Sequence, residues 1–478
     1  MNRVSRVLVF SLGFAGAAAA QARKSTWADG VLTDLDTKAS AYSTTAKQIW
    51  GFAEVGYQEE KSSALLQDRL RSAGFSIEAG VGEMPTAFVA SYGSGKPVIA
   101  IVGEFDALPG LSQDAVPMRK VLVEGGPGHG CGHHLFGTAA AAAAISVKDW
   151  LAQGKRPGTI RFYGTPAEEG GGGKIYMVRA GVFKDVDAVV SWHPGDLNQV
   201  TRATTLANNS AKFRFHGVSA HAAAAPDQGR SALDGVEGMN AMVNLMREHV
   251  PQEARIHYII TSGGKAPNVV PDFAEVYYYA RHSDMRVLDG IWERILNAAK
   301  GAALGTGTTM DFELVNSVYN VLPNDALADV MQGALERVGG YAYSPDEKAF
   351  AEKIRPSLTG TLPPMDETTR VTPPETGVSP GSTDMGDLSW VVPTVQLSAA
   401  TWVPGTPAHS WQAVAAGGMS IGSKGMMVAA KTMALTAIEL FSNPAHLPKA
   451  RAEFDKRLGG FVYQSRVGDR KPPLDYRR

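Results

Sequence analysis

Four short β-rich runs, residues 98–102, 159–163, 188–191 and 394–397, each give way within a few residues to a loop crowded with glycine, proline and polar groups. Apolar runs of four or five residues suit strands covered on both faces. Helical patterns lie between them, notably at 139–151 and 426–440. Strand and helix in alternation define an α/β domain, a mostly parallel sheet under helices. Residues 211–318 read differently: strands at 212–216, 255–260, 274–281 and 310–315, helices at 231–248 and 287–303. That β-α-β-β-α-β order predicts a small α+β, ferredoxin-like domain. Since α/β material resumes afterwards, it is an insertion. The expected division is a catalytic domain at 21–206 and 318–447, an inserted domain at 207–317 and a tail at 448–478. Six prolines among residues 356–380 make that segment a loop or extended chain.

Composition removes several classes. The 478 residues carry 46 Lys+Arg against 47 Asp+Glu, a net charge of −1, so nucleic-acid binding by phosphate neutralisation has no basis. With 44% hydrophobic and 19% charged residues, global disorder is out. The single cysteine, Cys131, excludes an intrachain disulfide and a four-cysteine zinc site. Arg3 and Arg6 precede an apolar run at 7–20 that ends in Ala18-Ala19-Ala20. This pattern reads as a signal peptide over 1–20, cut near Ala20, and predicts a periplasmic or secreted protein. The run is short of the roughly 20 residues a membrane span needs, and no other stretch is expected to span. The tail, with nine basic and four acidic residues from Lys449 to Arg478, reads as a solvated, partly ordered end.

The chemistry-bearing residues follow the carboxyl ends of the runs. Asp106 comes four residues after Val102, Glu168 and Glu169 follow Tyr163, His193 follows Ser191, and His409 comes more remotely after the last run. Ligands of open α/β sheets bind outside those strand ends. The densest element is GHGCGHHLFG at 128–137, with His129, Cys131, His133 and His134. A thiolate beside imidazoles suits a borderline-soft divalent metal. A metal and a nearby helix N-terminus both favour the thiolate. Adjacent carboxylates Glu168 and Glu169 can divide labour, one ligating metal while the other moves protons. The glycine run before Lys174 is no P-loop, and there is no G-x-S-x-G elbow.

Together GEFDALPG, GHGCGHHLFGTAAAAA, TPAEEGGGGK, WHP and TPAHSW resemble the M20 metallopeptidases, in their amidohydrolase branch, over residues 35–445. The resemblance implies a zinc-exopeptidase-like catalytic domain and two divalent ions, Zn or Mn, held by Cys131, His133, Glu169, His193 and His409. Glu168 would be the general base and acid, and Asp106 would orient a ligand such as His133. Glu104 and Cys131 stand where much of the wider superfamily has a histidine and a bridging carboxylate, which leaves the choice of metal open. His221, in the inserted domain, would stabilise the oxyanion, in dimeric relatives from the partner's chain. Asn268 and Arg281 would contact substrate, the arginine through its fit to a carboxylate. His129, His134, His216, His249, His257, His282 and His446 are left as structural or exposed. The implied reaction is hydrolysis of N-acyl or N-aroyl amino acids such as p-aminobenzoyl-glutamate. The implied partners are that small molecule and either a second copy, through the inserted domain, or a related A-type subunit. A dipeptidase or carboxypeptidase-like exopeptidase uses the same machinery. A non-catalytic exported binding protein is a third reading, against which the complete ligand set and Glu168 argue.

Overall fold

The computed structural model describes residues 11–477, with side chains from Trp27 onward. The export signal read at 1–20 therefore lies outside the residues whose side chains are described.

The strands, in chain order, are β1 (Ser76–Ala79), β2 (Phe88–Ser94), β3 (Val98–Glu104), β4 (Gly158–Thr165), β5 (Ala188–Gly195), β6 (Gln199–Thr201), β7 (Ala207–His216), β8 (Arg255–Ser262), β9 (Phe273–His282), β10 (Thr309–Val318) and β11 (Thr394–Ala400). Seven of them form one sheet in the order β1-β2-β4-β3-β5-β11-β6. Its centre, β4-β3-β5-β11, is parallel, and β1, β2 and β6 are antiparallel additions at the edges. The carboxyl ends of the four central strands thus lie along one rim.

β3 shows why the apolar runs are continuous. Ile99 and Ile101 enter the core under the helices Ser11–Phe52, His133–Gly154 and Ser420–Ser442. Val98, Ala100 and Val102 point the other way, into a second core with Ile175, Met177 and Leu388. Each fully buried side chain of this size contributes about 1.5–3 kcal/mol. The helix Ser420–Ser442 corrects the expectation that no later stretch could span a bilayer. By length and composition it could, yet 78% of its apolar window is buried inside the protein. It packs against the alanine-rich helix His133–Gly154 as a core element.

The four remaining strands form an antiparallel sheet in the order β10-β7-β9-β8. Two helices, Ala232–Met246 and Met285–Thr306, cover one face, and Ser231 and Asp284 cap their first turns. Within the proline-rich segment 356–380, Met365–Thr369 form a short 3-10 turn, and the part after it bridges Glu375 to Thr201 and Val378 to Thr204.

The tail is the second correction. After the helix His446–Leu458, residues 461–477 form a strap that is tied down on both sides. Arg466 bonds Asp289 and the Tyr319 hydroxyl, Arg470 bonds the carbonyls of Leu314 and Val315, and Tyr476 and Arg477 both bond the Glu169 carbonyl. Net charge suggested a solvated end, but Arg470 serves carbonyls at the β10 bulge, Arg477 the Glu169 carbonyl, and Arg466 a carboxylate and a hydroxyl.

Candidate metal centre and active site

The loop at 128–137 folds so that its donors converge. Gly132 adopts a left-handed φ of 76° and starts the helix His133–Gly154, so His133 stands in its first turn, earlier than the helical pattern predicts. His133 lies fully buried, its Nδ1 donating to Asp106 Oδ1 at 2.8 Å. That bond orients the ring so that Nε2 faces the other donors, Glu104 Oε2 among them at 3.1 Å. Asp106 also accepts from the Glu169 backbone N–H at 2.9 Å, so one carboxylate positions two elements of the site.

His193 lies within β5, opposite Ser398 of β11, rather than in the following loop. Its Nδ1 donates to the Pro194 carbonyl at 2.7 Å, and its Nε2 faces Cys131 Sγ at 3.3 Å. His409 is brought over by its backbone N–H bond to Gly130, and its Nε2 lies 3.3 Å from Glu169 Oε1. Glu168 and Glu169 sit on a doubled-back turn. Gly170 and Gly172 take φ of 96° and 69°, and a Cβ on Gly173 would meet the Pro166 carbonyl at 2.0 Å. Only glycine tolerates that combination of handedness and crowding.

Three sets of donors each lie within 4.8 Å of one another: Cys131, His133 and His193; Cys131, Glu169 and His409; and Glu104, His133 and Glu168. Cys131 and His133 each belong to two of them. His133 Nε2, Glu104 Oε2 and Glu169 Oε1 are buried without a hydrogen-bond partner. Orphaned lone pairs converging beside a thiol fit a divalent cation, since buried polar atoms otherwise find partners.

The electrostatics agree. Burial, then Glu169, push the Cys131 thiol up, a cost that a bound cation reverses. Burial opposes charge on His133, but Cys131, Asp106 and Glu104 together raise it well above its usual range. Burial and the facing Glu104, Glu169 and Asp384 hold Glu168 well above the carboxylate range. Glu169 ends below its usual value because His409 and His133 outweigh its burial.

Several residues escaped the sequence reading. Lys174, fully buried, places Nζ 2.6 Å from both Glu104 Oε1 and Asp384 Oδ1, while Glu104 Oε2 lies 3.1 Å from His133 Nε2. Glu59, buried near Asp106, accepts from the Ala167 N–H and from Thr86 and is pushed up to about 8 by burial. The available signals were a charged residue closing a buried strand and a lysine directly after the glycine run. His129 and His134 bond the Ile49 and Gly417 carbonyls, as structural residues do.

The structure does not bring every expected residue to this rim. Ala207 pairs with His282 at one end of the β7–β9 ladder and His216 with Phe273 at the other. At about 3.4 Å per residue the ladder is about 30 Å long. Arg281 lies at the end joined to the larger sheet. His221 and Asn268, linked by the bond from the Ala222 N–H to the Asn268 carbonyl, lie exposed beyond the opposite end.

The family model for peptidase family M20/M25/M40 matches residues 100–413. The B-type subunit of the p-aminobenzoyl-glutamate hydrolase of Escherichia coli (strain K12) is 44% identical over 439 residues, 86% of this chain and 91% of that protein. The Xaa-Arg dipeptidase of Mus musculus is 29% identical over 440 residues, 89% and 91% of the two chains. The fold is similar to that of the Bacillus subtilis YXEP protein, a dinuclear metal-binding peptidase of the M20 family. There the TM-score is 0.58 at 18% identity, covering 85% of this chain and 99% of the other.

Proposed function

The chain belongs to peptidase family M20/M25/M40, and on that premise we propose that it hydrolyses the amide bond of N-acyl or N-aroyl amino acids, with p-aminobenzoyl-glutamate as the substrate to try first. The observation that carries the reading is Glu168, an acid held high beside a converging set of metal donors. Cys131, His133, Glu169, His193 and His409 would hold two divalent ions. The thiolate favours zinc, and the carboxylate and imidazole donors also accept manganese. Bound ions would supply the acidity that makes water a nucleophile near neutral pH.

The chain's own residues do the rest. Glu168 removes the proton from the attacking water and returns it to the leaving amine. Asp106 holds His133 and the Glu169 backbone in register through both steps. Arg281 takes the carboxylate of the amino acid. His221 accepts from the Ala223 and Ala224 N–H groups at Nδ1, which leaves Nε2–H as an outward donor suited to a developing oxyanion. Its distance from the rim in its own chain favours delivery from a second copy. The outer edge of β8, with exposed Ile259 and Ile260 on that strand, offers the surface for that pairing. A related A-type subunit is the alternative partner. The likeness to a dipeptidase keeps exopeptidase activity as a second reading. We also propose export to the periplasm or beyond, supported by Arg3, Arg6 and the apolar run at 7–20. An N-terminal sequence of the native protein beginning near Gln21 is the expected result.

The test is release of p-aminobenzoate by the purified chain supplied with Mn²⁺ or Zn²⁺. Release should stop with a chelator. Glu168→Ala should retain metal and lose turnover by about 10²–10⁴-fold or more. Turnover near that of the unaltered protein would refute the role of Glu168. An absence of release with two metals bound would move the search to another acyl group.

A further inference from the structure

The turn that carries Glu168 is strained immediately before it. Ala167 has a φ of 56°, a left-handed conformation that residues with a Cβ rarely adopt. Such a conformation persists only where its surroundings over-determine it. Ala167 is enclosed so closely that a Cβ on Gly171 or on Gly56 would stand 2.6 or 2.9 Å from its own. Its carbonyl accepts from the Gly172 N–H at 2.9 Å. Its N–H donates to Oε1 of the fully buried Glu59 at 2.8 Å, and Glu59 Oε2 accepts from the Thr86 hydroxyl at 3.0 Å. Burying a carboxyl group is costly unless its oxygens find partners, and here both are used.

A second bond of this kind falls two residues on, where Asp106 accepts from the Glu169 N–H at 2.9 Å. Glu168 therefore sits between two residues whose N–H groups are each gripped by a buried carboxyl group. Both grips lead back to residues 53–59, a segment without a role in the sequence reading. The Glu54 carbonyl accepts from the Ala107 N–H at 2.8 Å and Val55 bridges Ala107, so the segment sets the loop that carries Asp106. Tyr57, itself at a left-handed φ of 64°, donates its hydroxyl to the Gly171 carbonyl at 2.8 Å.

We propose that Glu59 is a positioning residue for the hydrolysis: with Asp106 it clamps the backbone on either side of Glu168 and fixes the line along which that carboxyl group meets the attacking water. Among the described residues it bonds none of the metal donors, and it acts through Ala167. A displacement of about 1 Å at a reacting group can cost about 10²-fold in rate. The inference rests on the hydrolase reading above.

The experiment measures kcat, KM and metal content for the metal-loaded full chain and its Glu59→Gln and Glu59→Met variants, with p-aminobenzoyl-glutamate as substrate. Glu59→Gln keeps an acceptor for the Ala167 N–H, and Glu59→Met removes it. Glu59→Met should lower kcat about 10²-fold with KM and metal content held, and Glu59→Gln should recover most of that loss. Adding Ala167→Gly to Glu59→Met should recover part of it, because glycine holds a left-handed φ without help. A kcat unchanged in Glu59→Met, or equally low in Glu59→Gln, would overturn the assignment, as would metal lost in step with kcat. Should Glu59→Met fail to fold, Glu59→Asp, a methylene too short to span Ala167 and Thr86, takes its place with the same expectation. If the unaltered enzyme cleaves no acyl amino acid, the hydrolase reading has failed, and amide exchange decides the clamp. Faster exchange at Ala167 in Glu59→Met but not in Glu59→Gln upholds it, and equal exchange in both overturns it.

Discussion

Lys174 is held by two buried carboxylates, and one of them faces His133, a proposed metal ligand. Deleting its ammonium leaves Glu104 and Asp384 buried and mutually repulsive. Lys174→Met should therefore lower stability by about 3–5 kcal/mol, read as the denaturant midpoint of the metal-free protein. Adding Asp384→Asn should recover part of that loss, because one of the stranded charges goes with it. A different signature is expected at Asp106, whose two acceptor oxygens orient His133 and the Glu169 backbone. Asp106→Asn should weaken metal binding about 10–100-fold, measured by competition with a chromophoric chelator; unaltered affinity would remove it from that role. Glu169 and His193 were legible because they lie at or just past the ends of buried strands, and Cys131 and His133 because glycines mark the turns of their loop. The Lys174–Asp384 pair spans 210 residues, and nothing in local spacing announces it. Neutralisation of a buried charge by a distant partner is a tertiary fact.

Among the elements, the strap at 461–477 joins parts that the domain reading treats as separate. One end holds Asp289, Leu314 and Val315 of the inserted sheet and its helix. The other places the Tyr476 ring 5.7 Å from Tyr57, whose hydroxyl bonds the Gly171 carbonyl, and caps the Glu169 carbonyl at 3.0 Å. A Cβ on Gly56 would meet the Tyr476 hydroxyl at 2.4 Å, so the chain below is shaped to receive this ring. Removing residues 474–478 deletes three bonds to Gln58 and Glu169. Each is worth about 0.5–1.5 kcal/mol. The expected result is faster amide exchange in residues 167–172, weaker metal retention and a lower kcat, with both sheets intact by circular dichroism. Exchange unchanged in that loop would show the strap to be passive. Composition misled here because net charge says nothing about which carbonyls a guanidinium can reach. The alternation of strand and helix and the β-α-β-β-α-β insertion were readable, since they depend on local periodicity.

Across the whole molecule, metal binding, proton binding and folding are linked through the same side chains. In the metal-free protein Cys131 is held as a thiol, and His133 and His409 hold protons above their usual range. His133 and His409 are raised in the fold, so their stabilisation is full below the unfolded histidine value and is lost as pH rises through the folded one. Asp387, buried against Tyr463 and Tyr319, is pushed up to about 7, and Glu59 up to about 8, chiefly by burial. Above the unfolded histidine value and up to about 8, Glu59, Asp387, His133 and His409 keep protons that the unfolded chain has lost, so stability falls with rising pH; below it the lowered His129, His134 and His193 oppose that slope. Metal-free protein should accordingly melt at progressively lower temperature from about pH 6.5 to 8, and Asp387→Asn should flatten part of that slope. Metal reverses the trend, because each ligand proton it displaces adds a factor of ten in apparent affinity per pH unit. Two displaced protons, from Cys131 and His133, correspond to about 2.7 kcal/mol per pH unit. Calorimetry at pH 6, 7 and 8, with metal in fixed excess or with chelator, should show the gap in Tm widening at each step. A gap that stays constant would mean that neither group gives up a proton on binding metal and would remove both from the ligand set.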